Sequence, residues 1–334
     1  MIFILCLFLL ILLIFILSYF APKFNLVDLP DERKLHTGSV PLVGGIAIYT
    51  SFITYLFLAF GLQEKYLFIY LSSIIFIIAI LDDIYNINVT IRLILQLFVT
   101  LVVIGTGLII VDIGDYYFFP PIKLYIFSIF LTVLSVLGLT NAINFIDGID
   151  GLCSGILLNA FISLMIFSYF YSNIAEISLI LFLSLSILIF IFFNFQVFNL
   201  KKIFLGDAGS VTLGFILSWF LIYYSHPSQR FIHPILTIWC VTLPVYDLLS
   251  VIIRRVMNKI NPFRPDRTHL HHLMLKSGLS NKKVFVILIL FSLIINSLGG
   301  LTFYFFGPSP SLLFFIILFF IYFFTTLKLS IKVK

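Results

Sequence analysis

The chain has 334 residues, of which 62% are hydrophobic and only 10% charged, and Phe alone accounts for 41 of them; the mean hydropathy is +1.20. A soluble domain carries roughly 25% charged residues, so a soluble protein is excluded, and the two-residue alternation of an outer-membrane barrel is absent. The net charge of +6 is explained by basic anchors in membrane loops, with no nucleic-acid partner required.

A helix needs roughly 20 apolar residues to cross a hydrocarbon core about 30 Å thick. Stretches of this kind lie near 1–20, 42–60, 67–81, 91–111, 123–142, 152–171, 177–195, 211–225, 232–253, 284–304 and 311–329. The expected fold is therefore all-α: one polytopic helical bundle of about eleven transmembrane helices, forming a single domain over 1–334. The first stretch lacks a basic n-region, is too long for a signal-peptide core, and meets its first positive charge, Lys23, only after its end. It reads as a retained helix with its N-terminus outside. Of the 20 Lys and Arg residues, all but Lys65, Lys123 and Arg230 then fall in, or at the helix ends flanking, the connections 21–41, 82–90, 143–151, 196–210 and 254–283 and the C-terminal tail. The positive-inside rule puts those segments, and the C-terminus, in the cytoplasm.

Acidic residues follow the same bias, with Asp28, Asp31, Glu32, Asp82, Asp83, Asp147, Asp150, Asp207 and Asp266 all in cytoplasmic segments. Glu64, Asp112, Asp115 and Glu176 fall outside, in loops without further chemistry, and His226 and His233 there read as structural. Cys6, Cys153 and Cys240 lie in apolar segments with no CxxC spacing and read as small hydrophobes.

In chain order, the first cytoplasmic loop, DLPDERKLHTGSVPLVGG, offers Arg33, Lys34 and His36, which suit a juxtamembrane anchor first and phosphate contact second. LDDIYNINVTIRL sets Asp82 beside Asp83, a repulsive pair unless a cation sits near. NAINFIDGIDGL places Asn144, Asp147 and Asp150 three apart, near one face of a helix or tight turn. FLGDAGSVTLG opens a helix at Asp207, where glycines and a serine present amides to an anion and the aspartate either caps the helix or holds a metal. Asp247 is an ionisable group inside the ninth stretch, which by default points to function; seven residues before Arg254, it is as well placed for an ion pair or an interhelical hydrogen bond as for catalysis. PDRTHLHHLMLKSG gathers Arg264, Asp266, Arg267, His269, His271 and His272 after Arg254 and Arg255; its HxHH spacing lacks the i, i+4 pair of a helical zinc site, and the set suits a diphosphate better.

In order and spacing these five motifs resemble the polyprenyl-phosphate N-acetylhexosamine-1-phosphate transferases of glycosyltransferase family 4, over nearly the whole chain. The PDRxHxHH form looks like the branch that uses UDP-N-acetylglucosamine. The resemblance implies a phosphoglycosyltransferase of the bacterial inner membrane, with its active site in the cytoplasmic loops. It would transfer N-acetylglucosamine-1-phosphate from the UDP-sugar to undecaprenyl phosphate, release UMP, and initiate a lipid-linked polysaccharide such as O-antigen. It implies Mg²⁺, replaceable by Mn²⁺, held by Asp207 and Asp83. Asp82 or Asp83 would serve as base or second metal contact, with Asp207 as the third catalytic acid. Asn144, Asp147, Asp150, Arg255, His269, His271 and His272 would bind the nucleotide sugar. The implied partners are the UDP-N-acetylhexosamine, undecaprenyl phosphate and membrane lipid, with a homodimer left open.

One departure stands out: where relatives often carry a third acid, in DDxxD, this chain has Asn86. Other UDP-sugars (UDP-FucNAc, UDP-QuiNAc, UDP-GalNAc, UDP-MurNAc-pentapeptide) are alternatives within the same reaction. An aspartate-rich membrane prenyltransferase would need a second aspartate-rich motif and leaves the histidines unexplained. A transporter would place ionisable groups mid-membrane, where only Asp247 qualifies.

Overall fold

The computed structural model describes every residue except 30–37, 64–65, 118, 170–173, 262–267 and 334. Arg33, Lys34, His36, Arg264, Asp266 and Arg267 therefore lie outside the described residues. The helices in chain order are α1 (Ile2–Phe20), α2 (Gly44–Phe60), α3 (Leu67–Tyr85), α4 (Val89–Gly105), α5 (Phe127–Ile146), α6 (Leu152–Ser168), α7 (Ile174–Asn194), α8 (Asp207–Ser225), α9 (Pro234–Cys240), α10 (Thr242–Met257), α11 (Leu270–Lys276), α12 (Asn281–Phe306) and α13 (Pro308–Lys332). A two-residue antiparallel pairing, Val27–Asp28 with Val40–Pro41, folds the first loop back on itself.

Each apolar stretch expected from the sequence lands on a helix or a bent pair of helices. Seven helices among the described residues are long and apolar enough to cross a membrane, and eight if α9 and α10 count as one; α2, α4 and α6 are apolar but shorter. The protein is a multi-pass membrane protein.

The stretch 232–253 is not one straight helix. α9 and α10 meet at 82°. Pro244 has no N–H to give the Cys240 carbonyl four residues back, so the helix breaks at Val241. Asn296 Nδ2 of α12 donates to that carbonyl at 3.1 Å, and Thr242 Oγ1 to the carbonyl of Trp239 at 2.9 Å. A break in an apolar setting persists only where the freed groups find such partners.

α8 is the hub, wrapped by α2, α3 and α5 and almost wholly buried. Its sequence explains this. Gly209, Ser210, Thr212, Gly214 and Ser218 keep its surface small, so neighbouring backbones come close where lipid offers no hydrophobic drive for packing. At Gly45, the first turn of α2 touches α8 so closely that an added Cβ would land on the backbone of Gly209. The same contact is hydrogen-bonded: Gly44 N donates to Phe204 O at 3.0 Å and Gly45 N to Leu205 O at 2.9 Å, while Phe204 N donates to Pro41 O at 2.8 Å. PLVGG thus braces the segment that delivers Asp207.

At the end of the bundle away from Asp207, Asp112 pairs with Lys123 and Tyr116 with Phe119 in antiparallel bridges. Asp112 receives both Arg230 nitrogens, Nη1 at 3.1 Å and Nη2 at 2.8 Å, and the amide of Gly114 at 2.9 Å. His233 caps α9 through Nδ1 and meets the Asp115 carbonyl through Nε2 at 3.1 Å. Glu176 is buried in the first turn of α7, where the Tyr223 hydroxyl donates to it at 3.4 Å. Asp112 and Glu176 are therefore built into the fold and not the plain loop acids that the sequence suggests. All three cysteines are buried and unpaired with one another, as expected of small hydrophobes.

Candidate active site

Asp82 and Asp83 end α3, and the chain there turns sharply because Asn86 adopts the left-handed conformation (φ 51°, ψ 67°) that Asn tolerates better than most residues. Asn88 then caps α4, its side chain accepting from Thr90 N at 2.8 Å.

The adjacent acids point into different jobs. Asp83 reaches across to α8, where its two oxygens accept the amides of Asp207 (2.8 Å) and Ala208 (2.9 Å). It caps a helix far away in sequence and holds Asp207 in place. Gly206 is required for this: its φ is +72°, and a Cβ there would sit 2.8 Å from Asp83 Oδ2. Asp82, only 6% exposed, accepts Ile87 N at 2.7 Å and is bound by Arg92. Arg92 Nη1 also donates to Asp207 Oδ2 at 3.0 Å. One guanidinium from α4 is thus shared between carboxylates of α3 and α8, and Arg92 is itself only 12% exposed. Asp207 Oδ1 completes the set by accepting from Asn144 Nδ2 of α5 at 3.0 Å.

The DGID turn follows directly. α5 ends at Ile146, so Asn144 is on the helix while Asp147 is the residue after it. Asp147 keeps an exposed face. Desolvation by the surrounding chain, then the negative charges of Asp207, Asp83 and Asp150, push its carboxyl above the usual carboxylate range. Asp150 instead receives Lys202 Nζ at 2.8 Å, a bond that ties this turn to the segment leading to Asp207.

The histidine segment arrives from the other side. His269 Nδ1 and Asp247 Oδ2 are 2.7 Å apart, Leu270 N donates to Asp247 Oδ1 at 2.9 Å, and the Tyr322 hydroxyl of α13 donates to Oδ1 at 3.2 Å. The interhelical hydrogen bond open to Asp247 is present, from Tyr322 of α13. Arg254 Nη2 donates to the Thr268 carbonyl at 2.6 Å, and Arg255 is buried in the last turn of α10. His271 is buried with its ring 4.0 Å from that of His272, which is partly exposed. A Cβ on Gly148 would lie 3.0 Å from His271 Nε2 and 3.8 Å from His272 Cε1, so the histidines abut the DGID turn.

Arg92, Asn141 and Gln96 are not among the site residues expected from the sequence. Arg92 looked like a basic helix end, although an arginine just inside an apolar stretch and ten residues after a DD pair is the available signal. Asn141 Nδ2 donates to Gln96 Oε1 at 3.0 Å, joining α5 to α4 one turn below Asn144 and Arg92. Buried amides in a helix of this apolarity were legible as a polar contact, but not whose.

A divalent cation suits this chemistry. The donors are carboxylate oxygens, and Mg²⁺ is commonly bound by one or two of these plus phosphate oxygens and water. Asp207, 34% exposed, and Asp147 have oxygen surface to give, whereas Asp83 commits both oxygens to α8. Among the described residues no three His, Cys, Asp or Glu side chains converge on one point.

Residues 66–225, which carry LDD, NAINFIDGIDGL and FLGDAGS, match the model of glycosyl transferase family 4. The chain is 34% identical over 281 residues to an undecaprenyl-phosphate alpha-N-acetylglucosaminyl 1-phosphate transferase of Haemophilus influenzae, covering 82% of this chain and 79% of that one. It belongs to glycosyl transferase family 4. Further members of the family with the same name, from Escherichia coli K12 and Salmonella typhi, are 31% and 30% identical over 291 and 295 residues, covering 85% and 86% of this chain and 78% and 79% of theirs.

Proposed function

We propose that this chain transfers N-acetylglucosamine-1-phosphate from UDP-N-acetylglucosamine to undecaprenyl phosphate, releasing UMP, at the cytoplasmic face of a bacterial inner membrane. The observation that carries the reading is Arg92 shared between Asp82 and Asp207 at the end of an apolar bundle, with Asp147 beside them. Phosphoryl transfer asks chiefly for positioning and charge neutralisation, and this cluster offers both where a lipid head and an aqueous nucleotide can meet. The names of the relatives support the choice of donor and acceptor.

In this reading an oxygen of the lipid phosphate attacks the sugar-bearing phosphorus, a new P–O bond forms, and the bond to the UMP oxygen breaks with its electron pair leaving on UMP. The nucleophile is already an anion, so the attack is direct. Asp83 keeps the start of α8 in register, and Asn144 orients the Asp207 carboxylate. Arg92 neutralises the carboxylates, while Asp147, Asp150, Arg255 and the α11 segment receive the donor. Asp207, with Asp147, would hold Mg²⁺, which supplies charge neutralisation on the diphosphate when bound; Mn²⁺ serves in its place. The product is the first lipid-linked sugar of a surface polysaccharide such as O-antigen. Eleven membrane passages, with the N-terminus outside and the C-terminus cytoplasmic, complete the arrangement; the basic loops support that orientation.

The decisive assay incubates purified protein with undecaprenyl phosphate and a panel of UDP-N-acetylhexosamines and measures UMP. Release is expected with UDP-N-acetylglucosamine. Release with a different sugar alone would reassign the donor, and none with any sugar would reject the activity.

A further inference from the structure

The three histidines of HLHH do not have equivalent surroundings. His269 sits against α10, with its Nδ1 2.7 Å from Asp247, and its ring packs on Phe145 of α5 with centroids 5.3 Å apart. His271 is only 2% exposed. Both His271 and His272 lie by Gly148 of the DGID turn, but of the three only His272 is partly exposed. The helix they begin, α11, has seven residues, too short to hold itself in place by its own hydrogen bonds. Its body packs against α12 and α13, and its first residues are fastened to α10. Asp247 takes the Leu270 amide and the His269 ring, Arg254 takes the Thr268 carbonyl, and Tyr322 fixes the Asp247 carboxylate from α13. Three successive residues of the histidine segment are thereby fastened to a helix whose direction is set by the bend at Val241.

We infer that Asp247 and His269 form a positioning couple that docks α11 on α10, leaving His272 as the histidine that meets the donor diphosphate. The inference rests on the transferase reading above, but it assigns unequal roles within a motif whose chemistry alone would make all three histidines phosphate contacts. The carboxylate fixes the ring by accepting from Nδ1–H, as second-sphere acids orient working histidines elsewhere. A buried acid that both caps a helix and fixes its first side chain has a reason to stay in an apolar span.

The test uses the purified full-length protein and separates position from contact. His269→Ala and Asp247→Ala should each lower kcat/KM for the UDP-sugar by about a hundredfold, the scale of a site displaced by an ångström, with the KM for undecaprenyl phosphate unmoved. The double variant should be no worse than the weaker single, because both break one couple. His269→Asn, whose side-chain amide can donate to Asp247 much as Nδ1–H does, should recover to within about tenfold of wild type. His272→Asn should stay as impaired as His272→Ala. If Asp247→Ala does not fold, Asp247→Asn keeps an oxygen for Leu270 and Tyr322 and serves in its place, with an intermediate loss.

The inference is overturned if His269→Asn is as inactive as His269→Ala while melting like wild type, or if the two single losses add. A wild-type protein without any transfer would instead sink the activity. The couple would then be judged by hydrogen exchange of residues 268–276, which must rise in Asp247→Ala if the couple docks α11; unchanged exchange would reject it.

Discussion

Two ion-pair clusters occupy opposite ends of this bundle, and they balance charge differently. At the far end Asp112 and Arg230 meet one to one, fork to fork, with the spare acceptor capacity taken by the Gly114 amide. At the other end a single guanidinium, Arg92, serves both Asp82 and Asp207, while Asp83, Asp147 and Asp150 stand close enough that Asp147 feels the charge of its neighbours. The first cluster is closed and neutral, as a structural fastening should be. The second, even with Lys202 paired to Asp150, has more carboxylates than cations around a partly exposed Asp207, which is why the proposed reaction places its substrate there.

The comparison can be broken by substitution. The largest effect is expected from Asp207→Asn, which removes the charge both Arg92 and the donor site depend on; UMP release should fall by about a thousandfold, on the scale of deleting a principal electrostatic group, with the melting temperature in detergent little changed. Wild-type turnover would erase the distinction between the two ends. Arg92→Ala comes next. It leaves two confined carboxylates facing each other, so it should cost about a hundredfold in rate and on the order of 3 kcal/mol in stability, read as melting temperature. Arg92→Lys should fall between, since a point charge does not bridge two carboxylates as a planar fork does.

At the far end the pattern reverses. Arg230→Ala should lower the melting temperature by several degrees, as expected for orphaning a buried acid, and change UMP release by less than about twofold. A large activity loss there would show that the outer fastening is coupled to catalysis.

The smallest effect sharpens the picture by pH. Burial, then the neighbouring His272, drives His271 from 6.5 down to about 3, so its ring is neutral in the folded protein. Because the folded value is depressed, the stability tied to the neutral ring is complete above about pH 6.5 and is lost as pH falls towards 3. Asp147, with its raised carboxyl, works in the opposite direction as pH falls, so the His271 contribution is read as a difference: the melting temperature of wild type relative to His271→Phe should fall by a few degrees between pH 7.5 and pH 5.

Much of this was legible in the sequence because the chain is so apolar. Where hardly one residue in ten is charged, each carboxylate stands out, and Asp82, Asp83, Asn144, Asp147 and Asp207 were found where the structure joins them. What could not be read was pairing across distance. Nothing local says that Arg92 serves Asp207, 115 residues away, or that the two halves of DD take unrelated tasks. The bend at Val241 was hidden because the apolar run continues through it, and only Pro244 hints that a carbonyl is freed. The histidines looked alike because their difference comes from α10 and the DGID turn and not from their own spacing.

The contact between Gly45 and Gly209 carries a consequence for biosynthesis. Amides near the start of α2 leave the ribosome long before the carbonyls of Phe204 and Leu205 that will receive them, and the whole of α3 to α7 is threaded in between. Until α8 inserts, the growing chain holds open donors and a glycine notch in the bilayer. Nascent chains stalled before residue 204 should therefore linger with the insertion machinery or be taken by membrane proteases, and the catalytic cluster comes into being in one late step.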